Sequence, residues 1–314
     1  MGKLVVQRLV AMVPLLFIVS ILAFSLMQLL PGDPVLVRVG EEATEQQYDQ
    51  VEHELGLDRS VPVQYVRWLG GAVRGDFGES LINSQQVTGA VTSRLPVTLS
   101  LTFGAVLIAL VIGVTAGVIG GTRPGSAVDR GVTFAATLGL AVPNFWFAIL
   151  LVTVLSLKLD LLPATGYTPI QVAPAQWLRG IILPCLALGL SASAAIARQT
   201  RSGLASVLQQ DYIRTALAKG ASPRRVVLKH GLKNAFIPVV TVLAFQVTAL
   251  LGGALVVEQV LALPGLGSLA VISVQRSDVT MVQGIIMFTA VVVVGVNLAT
   301  DLLYGWLNPK VRPS

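Results

Sequence analysis

The sequence is poor in the residues that carry most protein chemistry. Its 314 residues include one cysteine, Cys185, and two histidines, His53 and His230. A single thiol excludes an intramolecular disulfide and a cysteine cluster. The histidines lie far apart, in different charge surroundings, and offer no metal-ligand spacing. Charged residues make up 12%, about half the ~25% of soluble domains. So low a charge excludes a disordered chain, which relies on polarity to stay solvated. The motifs G-x-x-x-x-G-K-[ST], H-E-x-x-H, C-x-x-C and G-x-S-x-G are all missing. The chain therefore lacks a phosphate-cradling loop, a zinc-protease helix, a redox pair and a nucleophile elbow.

What is present is apolar surface. Hydrophobic residues make up 54%, and the mean hydropathy is +0.77. A soluble fold of this length has too little interior to hide that much. The chain reads as an all-α integral membrane protein. Six stretches without Asp, Glu, Lys or Arg lie at 9–30, 95–121, 131–157, 180–197, 234–257 and 279–300, where a bilayer needs ~20 apolar residues per helix. The runs are continuous rather than alternating, which predicts helices and not a barrel. Past the short fourth run, Arg198 and Arg201 extend the helix while their charged heads snorkel. The first run follows Lys3 and Arg8, exceeds a signal-peptide core and has no A-x-A site, so it reads as a retained anchor. It stops at Pro31, Gly32, Asp33 and Pro34. Prolines inside the runs, at Pro14, Pro143, Pro184 and Pro238, predict kinks.

Apart from the Cys185 thiol, the six cores hold no ionisable group. Ion-coupled carriers usually place carboxylates or histidines at that depth. A proton-coupled secondary transporter is disfavoured on this ground, and a sodium site built from carbonyls stays open. A membrane-embedded enzyme lacks its catalytic groups. Cys185 reads as a packing residue.

Basic residues concentrate at 198–233, where Asp211 is the lone acid. With Lys3, Arg8, Arg123, Arg130, Lys310 and Arg312, they mark the cytoplasmic side under the positive-inside rule. Both termini are then cytoplasmic in a multi-pass protein of the cell membrane. The sequence pI of 9.8 reads as topology and not as a nucleic-acid footprint. Three regions follow: 1–30, the N-terminus and first span; 31–94, an extracytoplasmic helical insertion; and 95–314, a core of five spans with the cytoplasmic loop 198–233.

In the insertion, Thr44 and Gln47 form a capping box that opens a short helix through Glu54. Pro62 starts a second helix, with Val63, Val66, Leu69 and Val73 at helical spacing. A lid and a docking surface fit this region equally. Beyond the fifth run, Glu258 precedes the turn Pro264-Gly265-Leu266-Gly267 and an apolar segment, 268–274, too short to span. A re-entrant or interfacial helix fits there, either as an outer gate or as an ordinary loop helix.

The loop is punctuated. Residues 204–219 lack Gly and Pro, and they carry Val207, Leu208, Ile213 and Leu217. This predicts one helix ended by Gly220, then a second with Ser222 as N-cap and Pro223 at its first position. Such a helix–Gly–helix elbow can transmit force from a soluble partner.

The elbow, Asp211-Tyr212-Ile213-Arg214-Thr215-Ala216-Leu217-Ala218-Lys219-Gly220 with Ala221-Ser222-Pro223-Arg224-Arg225, resembles the coupling loop of ABC importer permeases. The match extends along nearly the whole chain. It takes in Leu30-Pro31-Gly32-Asp33-Pro34, Glu54-Leu55-Gly56-Leu57-Asp58, Gln64-Tyr65 and Gly75-Asp76-Phe77-Gly78-Glu79-Ser80. It continues with Pro96-x-Thr98-Leu99, Glu258, the Pro264–Gly267 turn, Asp301-x-x-Tyr304 and Asn308-Pro309. In this order the motifs resemble the B-type permease subunit of dipeptide/oligopeptide ABC importers, a family with nickel and glutathione branches. Two departures stand out. Arg214 occupies the position of the generic loop's Glu, and Ile237-Pro238 follows Gly220 later than the generic Leu-Pro. The Glu anchor to the ATPase therefore does not carry over, and Asp211 or Arg214 is left as its substitute.

The resemblance implies a type I importer permease fold with six transmembrane helices. It implies a second permease subunit of the C type, two ATPase domains that bind ATP and magnesium, and an extracytoplasmic peptide-binding protein. This chain would be a non-catalytic subunit that binds no cofactor or nucleic acid itself. Asp211, Tyr212, Arg214, Thr215, Ala216, Ala218, Lys219, Gly220, Ala221, Ser222, Pro223, Arg224 and Arg225 would couple to the ATPase, with roughly 214–225 seated in its groove. Asn144, Gln199, Gln246 and Thr248 are candidate pathway residues, with helix–helix hydrogen bonding an equal reading for each. Glu258, Pro264, Gly265 and Gly267 are candidates for an outer gate or docking surface.

Overall fold

The computed structural model describes residues 2–29, 33–40 and 42–307. Leu30, Pro31 and Gly32, with Asn308, Pro309, Lys310 and Arg312, lie outside the described residues, as do the side chains of Lys3, Ile237 and Tyr304. Among the described residues there are thirteen α-helices and no strand. In chain order they are α1 (Gly2–Leu29), α2 (Pro34–Val39), α3 (Glu45–Leu55), α4 (Val61–Val73), α5 (Val87–Gly121), α6 (Ala127–Ala141) and α7 (Asn144–Leu151). There follow α8 (Pro174–Leu208), α9 (Asp211–Ala218), α10 (Pro223–Arg225), α11 (Leu232–Val260), α12 (Leu266–Gln275) and α13 (Val279–Leu307). Two π-helical stretches, Val152–Lys158 and Val226–Gly231, continue α7 and α10.

Five helices, α1, α5, α8, α11 and α13, are long and apolar enough to cross a membrane. Their outward residues, such as Val10, Val13, Phe103, Val111 and Phe245, are large, apolar and exposed. Water would penalise that surface; lipid does not. The third predicted run is not one straight helix. Ala127–Ala141 and Asn144–Lys158 meet at 101°. Pro143 explains the break, because it lacks an amide hydrogen and pushes Val142 into the extended region (φ −88, ψ 125).

The chain forms two compact units. The first comprises Met1–Val5, Val97–Leu263 and Val296–Ser314; the second comprises Val6–Pro96 and Pro264–Gly295. In the first unit α8 is the most enclosed span, with 72% of its apolar window buried. Helix α5 packs on it through glycine. A Cβ at Gly104 would collide with Cys185 Sγ, one at Gly113 would lie 2.8 Å from Ile196, and one at Gly117 2.5 Å from Thr200. Small residues that let backbones approach are the usual adhesive of membrane helices. These contacts climb both helices together, so α5 and α8 run parallel. The chain between them descends α8 instead: Asp129 meets Arg201, Gly139 meets Ala194, and Gly166 meets Gly180. The bent pair therefore makes one net crossing. Helix α11 also runs antiparallel to α8, since Gly203 abuts Ala235 while Gly253 abuts Leu188. The 122–126 turn and the 209–231 elbow thus share one end of this unit.

In the second unit α4 lies against α1. The Phe24 and Tyr65 rings stand edge to face at 5.4 Å, Trp68 flanks Phe24, and the Ser20 and Tyr65 hydroxyls lie 2.8 Å apart. Aromatic pairs of this kind contribute about 0.5–1.5 kcal/mol beyond their burial. Asp278 is buried and caps α13. It accepts hydrogen bonds from the Ser80 hydroxyl and from the amides of Leu81 and Met281. The capping box predicted at Thr44 and Gln47 is present in both directions.

Candidate functional site

The elbow is built by local chemistry and held by three apolar side chains. Gly220 stands just past α9 with φ +84, a conformation glycine adopts without strain. Two reverse bonds close the helix, Gly220 N–H to Leu217 O (2.9 Å) and Ala221 N–H to Ala216 O (3.1 Å); this pair is the Schellman motif. Ser222 then accepts from the Arg225 amide, and Pro223 occupies the first turn. The predicted glycine stop and N-cap are both in place.

The predicted continuous helix over 204–219 is broken. Helix α8 ends at Leu208, and Gln210 is extended (φ −72, ψ 149). Burial explains the break. Leu204 and Ile213 are 0% and 2% exposed, yet nine residues apart on a straight helix they would face opposite sides. The interruption turns both inward, where buried Val226 adds a third apolar anchor.

The opposite face is open. Asp211, Tyr212, Arg214, Thr215, Ala218 and Lys219 are exposed, as are Ser222, Pro223, Arg224 and Arg225, while Ala216 and Ala221 are half-buried. Leu217 and Leu228 add exposed apolar area among the charges. Arg214 and Asp211 face each other at 3.7 Å with side chains 75% and 97% exposed, a pair of little energetic consequence. Tyr212 is better fixed, since its hydroxyl accepts from Asn234 Nδ2 at 2.8 Å.

One interaction has no precursor in the sequence motifs. Arg201, expected to snorkel, instead bonds Asp129 through Nε and Nη2 at 2.7 and 2.6 Å. Asp129 Oδ2 also accepts from the Gly125 amide. The 122–126 turn and the start of α6 are thereby fastened to α8 at the elbow end. The one available hint is Asp129 standing alone among basic residues.

The pathway candidates all fall in the first unit and are half-buried. Asn144 opens α7 and lies against α11, where a Cβ at Gly253 would sit 2.8 Å from its Nδ2. Gln246 lies two turns before Gly253 on the same face of α11, about 10 Å away. The Thr248 hydroxyl returns to the Ala244 carbonyl of its own helix. Gln199 is on α8, two residues before Arg201. No hydrogen bond joins these four among the described residues.

Glu258 is fully buried in the last turn of α11 and accepts from the Thr98 hydroxyl at 2.6 Å. Two motifs read separately in the sequence are thus one contact. Pro264, Gly265 and Gly267 belong to the second unit, where Gly265 precedes α12 and Ser268 Oγ donates to its carbonyl.

Residues 109–313 match the family described as the binding-protein-dependent transport system inner membrane component, and residues 1–102 match its N-terminal family. The chain belongs to that family. A putative peptide transport system permease protein of Brucella abortus (strain 2308) is 41% identical over 312 residues, 99% of each chain. An oligopeptide transport system permease protein of Bacillus subtilis (strain 168) is 37% identical over 315 residues, covering 99% of this chain and all of the relative. A glutathione transport system permease protein of Escherichia coli O1:K1 / APEC is 40% identical over 308 residues, 98% of each. In three dimensions, a chain of an inward-facing methionine ABC transporter superposes with a TM-score of 0.53 and 21% identity, covering 67% of this chain and 93% of that one. The family member described here is a multi-pass membrane permease of ABC type, with the importer permease fold.

Proposed function

We propose that this permease forms, with a second permease subunit of the C type, the membrane pathway of a di- or oligopeptide importer. The observation that carries the proposal is full-length likeness to permeases of peptide systems, joined to an elbow whose inner face is anchored and whose outer face is open. In this reading 211–225 seats in a groove of a cytoplasmic ATPase domain. Closure of an ATP-loaded ATPase pair pushes the elbow, and α8 and α11 move with it because Leu204 and Leu208 of α8 lie against Gly231 and the Tyr212 hydroxyl is bonded to Asn234 of α11. ATP drives the cycle only to the extent that it binds one conformational state more tightly than the other. ATP and magnesium belong to those partners, and this subunit performs no catalysis. The elbow end is cytoplasmic, with both termini on that side; the basic character of the 122–130 and 198–233 segments supports this under the positive-inside rule. The 31–94 insertion then faces outward, where it receives the peptide-binding protein.

Glutathione import is the second reading, favoured by the 40% identical glutathione permease. Reconstituted complex supplied with labelled tripeptide or with glutathione separates the two. Coupling is tested by a cysteine at Ser222 and one in the ATPase groove. A crosslink whose yield changes with ATP is expected; no crosslink anywhere along 211–225 refutes the docking.

A further inference from the structure

Helix α4 has three sides, and only two of them have a partner. Tyr65 and Trp68 turn toward α1, and Trp68 and Ala72 pack against the cluster that holds Ala23. Gln64 and Arg67 make the polar side, where the Gln64 amide donates to the Leu57 and Arg59 carbonyls and so fixes the turn between α3 and α4. The third side is wholly apolar. Pro62, Val63, Val66, Gly70 and Val73 fall within an arc about 100° wide. Val66 and Val73 are 67% and 80% exposed. A row of this kind is unfavourable in water and marks a contact surface.

The position of α4 says what the contact is. Tyr65 stands edge to face against both Phe17 and Phe24, and its hydroxyl lies 2.8 Å from that of Ser20. All three α1 residues belong to the apolar window Val5–Leu26. Ser20 lies inside that window, about 9 Å along the helix from its Leu26 end. The Phe17 side chain is itself 49% exposed, so acyl chains that wet α1 reach the ring on which Tyr65 rests. Helix α4 therefore sits at the depth of the bilayer boundary, where interfacial helices sink their apolar side by ~5–10 Å. Tyr and Trp, the two aromatic types on its α1 side, are those that membrane boundaries favour. The charge fits as well. From Arg59 to Gly75 there are three arginines, Arg59, Arg67 and Arg74, and no acid, a balance suited to the phosphates of a headgroup layer.

We propose that α4 is an interfacial membrane helix whose valine side lies in the lipid boundary, so that the insertion rests on the bilayer as well as on α1. The occupant of that side is lipid, not a second protein. The inference uses neither the substrate nor the side of the membrane on which the insertion stands.

The test is spin-label accessibility in nanodiscs of phosphatidylethanolamine and phosphatidylglycerol. Single cysteines at Val66, Val73, Val13 and Gln46 are labelled on this chain before the complex is assembled; Cys185, 2% exposed, stays unlabelled. ATPase activity of each complex reports that it is intact. Val13 on α1 is the lipid reference, and Gln46 on α3 is the water reference. At Val66 and Val73 the ratio of oxygen to nickel-chelate collisions should exceed that at Gln46 severalfold and lie below that at Val13. Nickel chelate that reaches Val66 and Val73 as readily as Gln46 shows a side facing water and overturns the proposal. Exclusion of both reagents shows a side covered by another protein and overturns it equally.

Discussion

Arg201 grips Asp129 through two near-parallel hydrogen bonds, across 72 residues of sequence, at the elbow end of α8. The Asp129 side chain is 4% exposed and that of Arg201 34%. Removing one partner leaves a nearly buried charge that Gly125 alone cannot satisfy. Arg201→Ala should cost about 2 kcal/mol, below a wholly dry pair because water reaches the guanidinium. Thermal unfolding in detergent should show a fall of about 4–8 °C. The Asp129→Ala, Arg201→Ala double variant should lose clearly less than the two single losses added; strict additivity would mean the pair does no joint work.

The α5–α8 seam makes a sharper structural prediction. A methyl at Gly117 would lie 2.5 Å from Thr200 Cβ and 2.7 Å from the Ala197 carbonyl. Both neighbours are rigid, so the helices must part. Gly117→Ala should destabilise by about 1–3 kcal/mol. Gly131→Ala is the control: nothing lies within 4 Å of that position, which is helical. It should be neutral or raise the melting temperature slightly.

Gly220 separates strain from packing. Its φ is +84, and no atom lies within 4 Å of the space a methyl would occupy, so a side chain costs only backbone energy. Gly220→Val should cost about 1–2 kcal/mol and loosen the Schellman closure. With the fold retained, ATPase stimulation by the loaded binding protein in the assembled complex should fall. Unchanged stimulation would show that the elbow's shape does not matter to coupling.

A pH effect is expected in the insertion. Tyr48 donates its hydroxyl proton to Asp33 Oδ2 at 2.7 Å. That hydrogen bond, with the nearby negative charge, pushes the phenol from 10.0 up to about 12. A raised pKa means the contact's contribution to stability is complete below pH 10 and is lost as the pH rises through about 12, where the folded phenol ionises. Ultraviolet titration of the wild type minus Tyr48→Phe should place this phenol near 12, and Asp33→Asn should bring it back toward 10.0.

The features legible in advance are those that neighbouring residues create for one another. The Thr44–Gln47 box, the Gly220 stop and the Ser222 cap each lie within a few residues of their partners, so their chemistry is visible in the string itself. The break at Gln210 is invisible there for the opposite reason. No glycine or proline marks it; it lets Leu204 and Ile213, which a straight helix would point to opposite sides, both be buried. The bend in the third run lies between these cases. Pro143 signals it, but a membrane helix tolerates proline, and only the packing along α8 shows that the two halves still make one crossing.

By itself the sequence determined the solvent and the local form of this permease: apolar runs that require lipid, a basic loop, and the caps and stops that cut the elbow. Tertiary structure alone decided which distant groups meet. Arg201 found Asp129, and Thr98 found Glu258 across 160 residues. The reason is physical. A cap or a stop is settled by the energies of a few adjacent residues, whereas a long-range pair exists only once whole helices have packed and excluded every other partner for the buried charge or polar group.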